Sequence, residues 1–451
     1  MSLREILNNA AIVSGTNIFT SGLNFIFFLV CLNALGVSDF GVFSLALSVL
    51  SFETLFLDLG LGKVIVSDVS KEISEKRDSD AAGIFQGYLW FQTGMIIFAF
   101  LTLFFGAEII SSYLAKDVAG ILKLVSILVV SAGIKNFFLV SFEIVSDFKR
   151  YSSLLFLEAL TKLIFVVGTI NYLGASVENV LFVLIASDVI VIALRLSAIP
   201  KLSKELLFMK NVKKILFVNA VRKHGKWAMW FSQVRNLESN LPIWIVTTFL
   251  GVTAAGVYSA LVKVQVLVIR IFEPLETVFF PTVNKLGKFE DSRKVIMRAT
   301  KYILYTSIPL VIVLMIFPEF FLGMVLGQNF VEYGNAFRIL LFTVFIFILN
   351  IPMKPFFYSL KEQKSLAFVS FLILASTAIL GSLLTISFGI IGIALNHVIG
   401  PLIDVFVKNR QINKITGIKY NILQSILPDK DDISLFKKII LDPSLLWSGK
   451  K

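Results

Sequence analysis

Apolar runs of the length that an α-helix needs to cross a bilayer, about 20 residues, follow one another along this 451-residue chain with little between them. Twelve are expected, near 10–33, 40–62, 84–107, 120–145, 152–172, 177–195, 226–249, 255–282, 300–317, 333–357, 365–386 and 390–408. What is left cannot clothe a water-facing surface: 16% of residues are charged, where a soluble domain uses roughly 25%. The fold class that follows is an all-α polytopic membrane protein. The first run carries Asn17 and Asn24 and is not followed by a small-residue cleavage site, so it is expected to be a retained span and not a leader. A single cysteine, Cys31, excludes an intrachain disulfide framework, and the two histidines, His224 and His397, leave too few ligands for a usual zinc or iron–sulfur site. No metal and no cofactor are expected.

The net charge of +12 could suggest a nucleic-acid partner, but the placement of the charges argues otherwise. Short loops rich in Lys and Arg stay on the cytoplasmic side. With the amino terminus inside, 33 of the 42 basic residues fall in inward segments: Arg4, the loops 63–83, 146–151, 195–226, 283–301 and 358–364, and the tail from Lys408. The outward loops hold only Lys116, and the other eight basic residues lie within expected spans. Both termini are therefore expected in the cytoplasm, and the surplus charge needs no nucleic acid. The outward loops are too short to hold a catalytic domain. The longest inward connection, roughly 196–225, mixes basic and apolar residues in the manner of an amphipathic segment on an anionic leaflet.

That connection separates six spans from six, and the halves share a motif. L-G-V-S-D-F-G-V-F-S at 35–44 and L-G-V-T-A-A-G-V-Y-S at 250–259 are identical at six of ten positions, at an offset of 215. Six helices lie between them, so both halves enter the membrane in the same sense, as in a parallel duplication. The expected organisation is an N-terminal lobe (1–198), an inter-lobe linker (199–225), a C-terminal lobe (226–408) and a cytoplasmic tail (409–451). In the first span Ser14, Asn17, Ser21 and Asn24 recur at spacings of three and four, which puts them on one helical face. Ser232, Arg235, Asn236 and Ser239 repeat the stripe in the seventh, where Ser232, Asn236 and Ser239 are the offset partners of Asn17, Ser21 and Asn24. Two readings stand side by side: hydrogen bonding between packed helices, or the wall of a wet cavity between the lobes.

Charges inside spans cost roughly 2.5 kcal/mol or more each unless paired or solvated. Glu158 with Lys162 (i,i+4), Arg235 with Glu238 and Arg270 with Glu273 (both i,i+3) are spaced to pair on one helix. Arg235, Lys263 and Arg270 also bring three cations onto the first two helices of the second lobe. Such a patch suits an anionic substrate, since phosphate accepts charge-assisted bonds from arginine in bidentate geometry; ion pairing with Glu238, Glu273 and Glu276 is the competing account. Pro274 and Pro281, and Pro352 and Pro355, are expected to interrupt the eighth and tenth helices. Asp58, in D-L-G-L-G at 58–62, reads as a cap. Asp188, His397 and Asp404 could relay protons, although a single histidine beside Asn396 and Gly400-Pro401 reads first as a packed, hydrogen-bonded residue.

The Ser/Asn-rich first helix, the turn L-G-V-S-D-F-G-V-F-S-L-A-L-S, D-L-G-L-G, F-K-R-Y-S after the fourth helix and P-E-F-F-L-G-M-V-L-G-Q-N-F-V-E-Y-G-N-A-F-R-I-L after the ninth together resemble the bacterial polysaccharide-transport family, which includes the O-antigen (Wzx-like) flippases. The resemblance runs from about residue 8 to 410. It implies a fold similar to the multidrug and toxic-compound extrusion (MATE) transporters, two six-helix lobes in a V around a cavity that opens alternately to each side. It also implies a cargo of oligosaccharide on undecaprenyl pyrophosphate, moved outward across a bacterial cytoplasmic membrane. The partners implied are that lipid-linked oligosaccharide, membrane lipids, a polysaccharide polymerase and a chain-length regulator. The site residues on this reading are Arg235, Arg270, Lys263, Asn17, Asn24, Ser232, Asn236 and Ser239, with no catalytic residue. Related lipid II flippases carry basic residues in the first helix, where this chain has Asn and Ser. A cation-coupled drug exporter of the same fold is the alternative, weakened by the lack of an acidic residue in the first span. A membrane glycosyltransferase or polymerase is weaker still, for want of a loop that could hold paired carboxylates.

Overall fold

In lipid every backbone N–H and C=O must find its partner within the chain, and the apolar runs meet that demand as helices. The computed structural model describes residues 3–113, 118–210, 212–213, 215–222, 226–272, 289–350 and 363–416. The described helices of the first half are α1 (Leu3–Asp58), α2 (Gly62–Ser74), α3 (Asp78–Tyr113), α4 (Ala119–Ile144), α5 (Phe148–Leu173) and α6 (Val177–Leu196). Two short helices follow, α7 (Lys201–Phe208) and α8 (Ile215–Ala220). The second half holds α9 (Lys226–Leu250), α10 (Val252–Arg270), α11 (Phe289–Ile316), α12 (Pro318–Val325), α13 (Gly334–Asn350), α14 (Gln363–Ser376) and α15 (Ser382–Thr416). No strand occurs among the described residues. Large apolar side chains such as Phe105 (72% exposed), Ile109 (63%) and Leu383 (58%) face outward, as a lipid-facing surface requires.

Eight of the described helical stretches are long and apolar enough to cross a membrane, nine if the pair Ile303–Ile316 and Pro318–Val325, bent by 82°, is one span. The protein is thus multi-pass, but twelve is not reached on those terms. Two of the eight, Gly15–Ser74 and Ala367–Lys414, are broken at Gly36 and Gly389 into arms that are each of span length. The remaining difference is α9, which is long enough but carries Gln233, Arg235, Asn236, Glu238, Ser239 and Asn240. Residues 273–288 and 351–362 lie outside the described residues, and with them the expected interruptions at Pro274, Pro281, Pro352 and Pro355 and the Arg270–Glu273 pair; so does 417–451 of the tail.

The local stops are chemical. Asp147 caps α5 by accepting from the Arg150 N–H (3.1 Å), and Ser176 caps α6 by accepting from the Asn179 N–H (3.2 Å). Asp58 is the cap that its sequence suggests: its carboxylate accepts from the Gly60 N–H at 2.7 Å and the Gly62 N–H at 3.3 Å across the turn into α2.

The internal repeat is also a repeat of backbone geometry. Gly36 (φ 73°, ψ 171°) and Gly251 (φ 86°, ψ 173°), 215 positions apart, occupy the same left-handed conformation at the turn of their motifs. The offset extends further than the motif, since Gly174 (φ 84°) and Gly389 (φ 60°) are again 215 apart and both left-handed. The two motifs also touch each other. A Cβ on Gly41 would lie 2.0 Å from the Val252 carbonyl oxygen, and one on its repeat partner Gly256 would lie 2.5 Å from that of Val37, itself the partner of Val252. When equivalent atoms of two repeats meet reciprocally, a pseudo-two-fold axis passes between them, and only glycine permits this approach.

Along that axis the second arm of α1 packs against α9 and α10. The connection between the halves keeps Phe208 and Ile215 81% and 59% exposed, and it also makes contacts to protein. Gln86 of α3 donates to the carbonyls of Leu206 and Met209 (both 2.9 Å), Ser203 donates to the Ser141 carbonyl (3.1 Å), and Phe217 of α8 packs on Phe91 at 5.6 Å between ring centres. Gln86 is a buried amide whose donors need acceptors, and the end of α7 supplies them. The linker is docked to the first half.

Candidate functional site

A cavity of about 870 Å³ lies between the halves, walled by both arms of α1, α4, α5 and α6 on one side and by α9, α10, α14 and α15 on the other. Near the Gly41–Gly256 contact it is aromatic, with Phe27, Phe28, Phe40 and Phe43 in its wall and Phe28 and Phe40 edge to face at 5.3 Å. Elsewhere the wall is ionic, and the two halves differ in how they hold their charges.

In the first half the charges neutralise one another. Lys135 of α4 donates to Asp188 of α6 (2.6 Å) and to Glu158 of α5 (2.8 Å), while Ser131 donates to the second oxygen of Asp188 (2.6 Å). Lys162, one turn along α5, donates to the same Glu158 oxygen that Lys135 uses, as its i,i+4 spacing suggests. Thr161 and Ser187 hydrogen-bond at 2.5 Å between α5 and α6 beside this cluster. Lys135, Lys162 and Asp188 all reach the cavity wall.

In the second half Lys263 and Arg270 of α10 line the cavity two turns apart, and no carboxylate among the described residues lies within ion-pairing distance of either. Arg270 is held instead by a hydrogen bond from its guanidinium to the Ser21 hydroxyl on the first arm of α1, across the boundary between halves. Glu238 also lines the cavity, and one of its carboxylate oxygens is buried without a hydrogen-bond partner among the described residues. Away from the cavity, Lys408 donates to Asp404 at 2.7 Å and to Asn350 at 3.4 Å. Asp404 thus has a cation beside it. His397 Nδ1 is 3.1 Å from the Tyr258 hydroxyl, the packed arrangement that its neighbours suggested.

Of the residues singled out in the sequence, Asn24, Ser239, Lys263 and Arg270 share the wall of this one cavity, whereas Asn17, Ser232, Arg235 and Asn236 do not line it. Asn17 and Arg235 are exposed side chains nearer the amino-terminal ends of their helices. Asn236 donates to the Ser51 carbonyl at 3.3 Å, Asn240 to the Ser51 hydroxyl at 3.1 Å, Gln233 to the Leu55 carbonyl at 3.2 Å, and Trp244 to the Ser48 hydroxyl at 2.9 Å. The polar stripe of α9 therefore meets the second arm of α1, and the first arm of α1 meets α10. Sequence reasoning passed over Lys135, since no carboxylate stands three or four residues from it; its partners come from two other helices of the same half. The signal available was a charge balance over that half, where Lys135, Lys162, Glu158 and Asp188 cancel.

A bundle whose halves repeat, meet reciprocally at glycines and border an ionic cavity has counterparts among solved membrane transporters. The fold matches the lipid II flippase MurJ in its inward closed conformation, with a TM-score of 0.72 at 14% identity over 97% of this chain and 93% of that one. It also matches an inward-facing multidrug resistance MATE family transporter of the MOP superfamily, with a TM-score of 0.67 at 14% identity over 89% and 96%. Residues 34–335 match the family of polysaccharide biosynthesis proteins, and the chain belongs to that family. A relative, the probable low-salt glycan biosynthesis flippase Agl15 of Haloferax volcanii, is 21% identical over 413 residues, which are 90% of this chain and 84% of that protein.

Proposed function

We propose that this protein is a flippase that carries a lipid-linked oligosaccharide across the membrane by alternating access, with the phosphate of the lipid carrier passing Lys263 and Arg270. The observation that carries this reading is the second-half wall, where two cations face a cavity without a carboxylate partner among the described residues. Membership of a polysaccharide biosynthesis family and the flippase likeness of Agl15 and MurJ point the same way. Taking a phosphate and a hydroxyl-rich sugar out of water costs several kcal/mol for each unsatisfied group, and a cavity with cations, hydroxyls and amides offsets that cost without making or breaking a bond. Asn24 and Ser239 are the neutral contacts on this reading. Asn17, Ser232 and Arg235, nearer the basic ends of their helices, line the approach, and Asn236 exchanges its bond to Ser51 for one to the cargo as the halves move. Residues 1–198 and 226–408 are the two moving bodies, 199–225 their tie, and 409–451 a cytoplasmic tail. The distribution of basic residues supports both termini in the cytoplasm of a cell whose inner membrane holds the protein, and an O-antigen-like repeat unit, passed to a polymerase and its chain-length regulator, is the finer form of the cargo in this reading.

Replacing Lys263 and Arg270 by Ala in cells that depend on this protein for surface glycan is expected to abolish export while the folded protein stays in the membrane. Arg270→Lys should be milder, because charge survives and bidentate geometry does not. Wild-type export by the double variant would sink the reading. Reporters fused after Val177 and after Leu216 are expected on opposite sides; the same side for both would sink the topology.

A further inference from the structure

We propose that Lys162 is a second anion contact, a first-half subsite for phosphate that works with Lys263 and Arg270. The inference rests on the function just proposed and adds to it the half that bears the neutralised cluster. Lys135 and Lys162 share one oxygen of Glu158, but their donors are spent differently. An ammonium has three N–H donors. Lys135 commits two of them to two different carboxylates, Asp188 at 2.6 Å and Glu158 at 2.8 Å. Lys162 commits one, and it goes to the Glu158 oxygen that Lys135 already occupies. Lys162 also has the most exposed side chain of the four, at 19% against 13% for Lys135, 16% for Glu158 and 4% for Asp188, and it lies in the cavity wall. Lys135 is therefore the clamp that ties α4, α5 and α6 together, and Lys162 is the member with donors to offer.

The charge count supports the same division. Lys135, Glu158 and Asp188 alone sum to one negative charge, which would repel a phosphate in the cavity; Lys162 cancels it and turns the remaining donors toward the ligand. An incoming phosphate can take Lys162 from Glu158 because Lys135 keeps that carboxylate satisfied. No proton needs to move and no bond is made.

The test is equilibrium binding to the purified full chain in detergent, by calorimetry, of farnesyl pyrophosphate and of inorganic pyrophosphate. Lys162→Gln is expected to weaken binding about tenfold, the scale of one charge-assisted hydrogen bond, and Lys162→Arg to stay within about threefold of wild type. The Glu158→Gln/Lys162→Gln double variant removes the pair together and leaves Lys135 with Asp188. It should bind as weakly as Lys162→Gln. Wild-type binding by the double variant would make Lys162 only an ion-pair partner and overturn the proposal, as would unchanged binding by Lys162→Gln where Arg270→Gln is impaired. Weakened binding by Lys162→Gln beside unaffected Lys263→Gln and Arg270→Gln would keep this subsite and remove the second-half contacts proposed above. Loss for both probes assigns the subsite to phosphate itself, and loss for the farnesyl form alone assigns it to a lipid headgroup.

Discussion

The two halves of the bundle repeat each other in backbone and differ in what they do with charge. The first half closes its cations into a network of Lys135, Glu158, Lys162 and Asp188 spread over three helices, and the second presents Lys263 and Arg270 to the cavity from one helix, where the Ser21 hydroxyl is the side-chain partner found among the described residues. A buried ion network fixes helix positions because leaving one member alone is costly. Cations with no carboxylate partner among the described residues are available to a ligand. The comparison thus separates a half that holds its shape from a half that waits for an anion.

The largest effect that tests this contrast is on stability. Lys135→Met leaves Asp188 with only Ser131 and removes one of Glu158's two partners, and it should cost about 3–5 kcal/mol, the range for breaking a buried pair by deleting one member. The measurement is the thermal unfolding midpoint of the purified protein, and a midpoint within a degree or two of wild type would mean that the network does not clamp the first half. Arg270→Ala and Lys263→Ala should do the reverse. Each is expected to leave the midpoint nearly unchanged, within about 0.5 kcal/mol, while glycan export falls about a hundredfold; loss of stability with export intact would erase the distinction between the halves.

The contact at the axis comes next. Gly41→Ala places a methyl group on the Val252 carbonyl and should disfavour this arrangement by about 1–3 kcal/mol, the usual cost of overpacking. In a Cys31→Ser background, a cysteine at Ser48 should then react about tenfold faster with a hydrophilic maleimide, and Gly256→Ala should behave alike. Equal effects are what the pseudo-two-fold demands, and an effect from only one glycine would refute the reciprocity. The smallest change is Ser21→Ala. It removes one hydrogen bond to Arg270 and should cost about 1–2 kcal/mol or less in anion affinity with no change in midpoint; an effect as large as Arg270→Ala would mean that the hydroxyl, not the guanidinium, contacts the cargo.

Much of the fold is legible in the chain because its causes are local. The length of an apolar run dictates a span, Asp58, Asp147 and Ser176 mark helix starts through side chains that reach N–H groups two to four residues away, and Gly36 and Gly251 mark the turns through a conformation that favours glycine. The repeat at offset 215 needed only two lines of sequence to be seen, and with it the expectation that the halves face each other about an axis. The Glu158–Lys162 pair was visible for the same reason, since four residues along a helix bring side chains together.

What the tertiary structure alone decided are the matters of partner and rotation. The polar stripe of α9 meets Ser48, Ser51 and Leu55 on the second arm of α1, so Asn236 is a packing contact here while Ser239, three residues on, opens into the cavity. Nothing in the stripe itself distinguishes those two, because periodicity fixes which residues share a face and not what that face meets. Lys135 gives no local hint of its role, its carboxylates being 23 and 53 positions away. The linker's amphipathic pattern fits a lipid surface and a protein groove equally, and only the packing shows that the end of α7 is held by the buried amide of Gln86. In each case the sequence states that a polar or apolar group must be satisfied, and only the packing of distant helices determines by what.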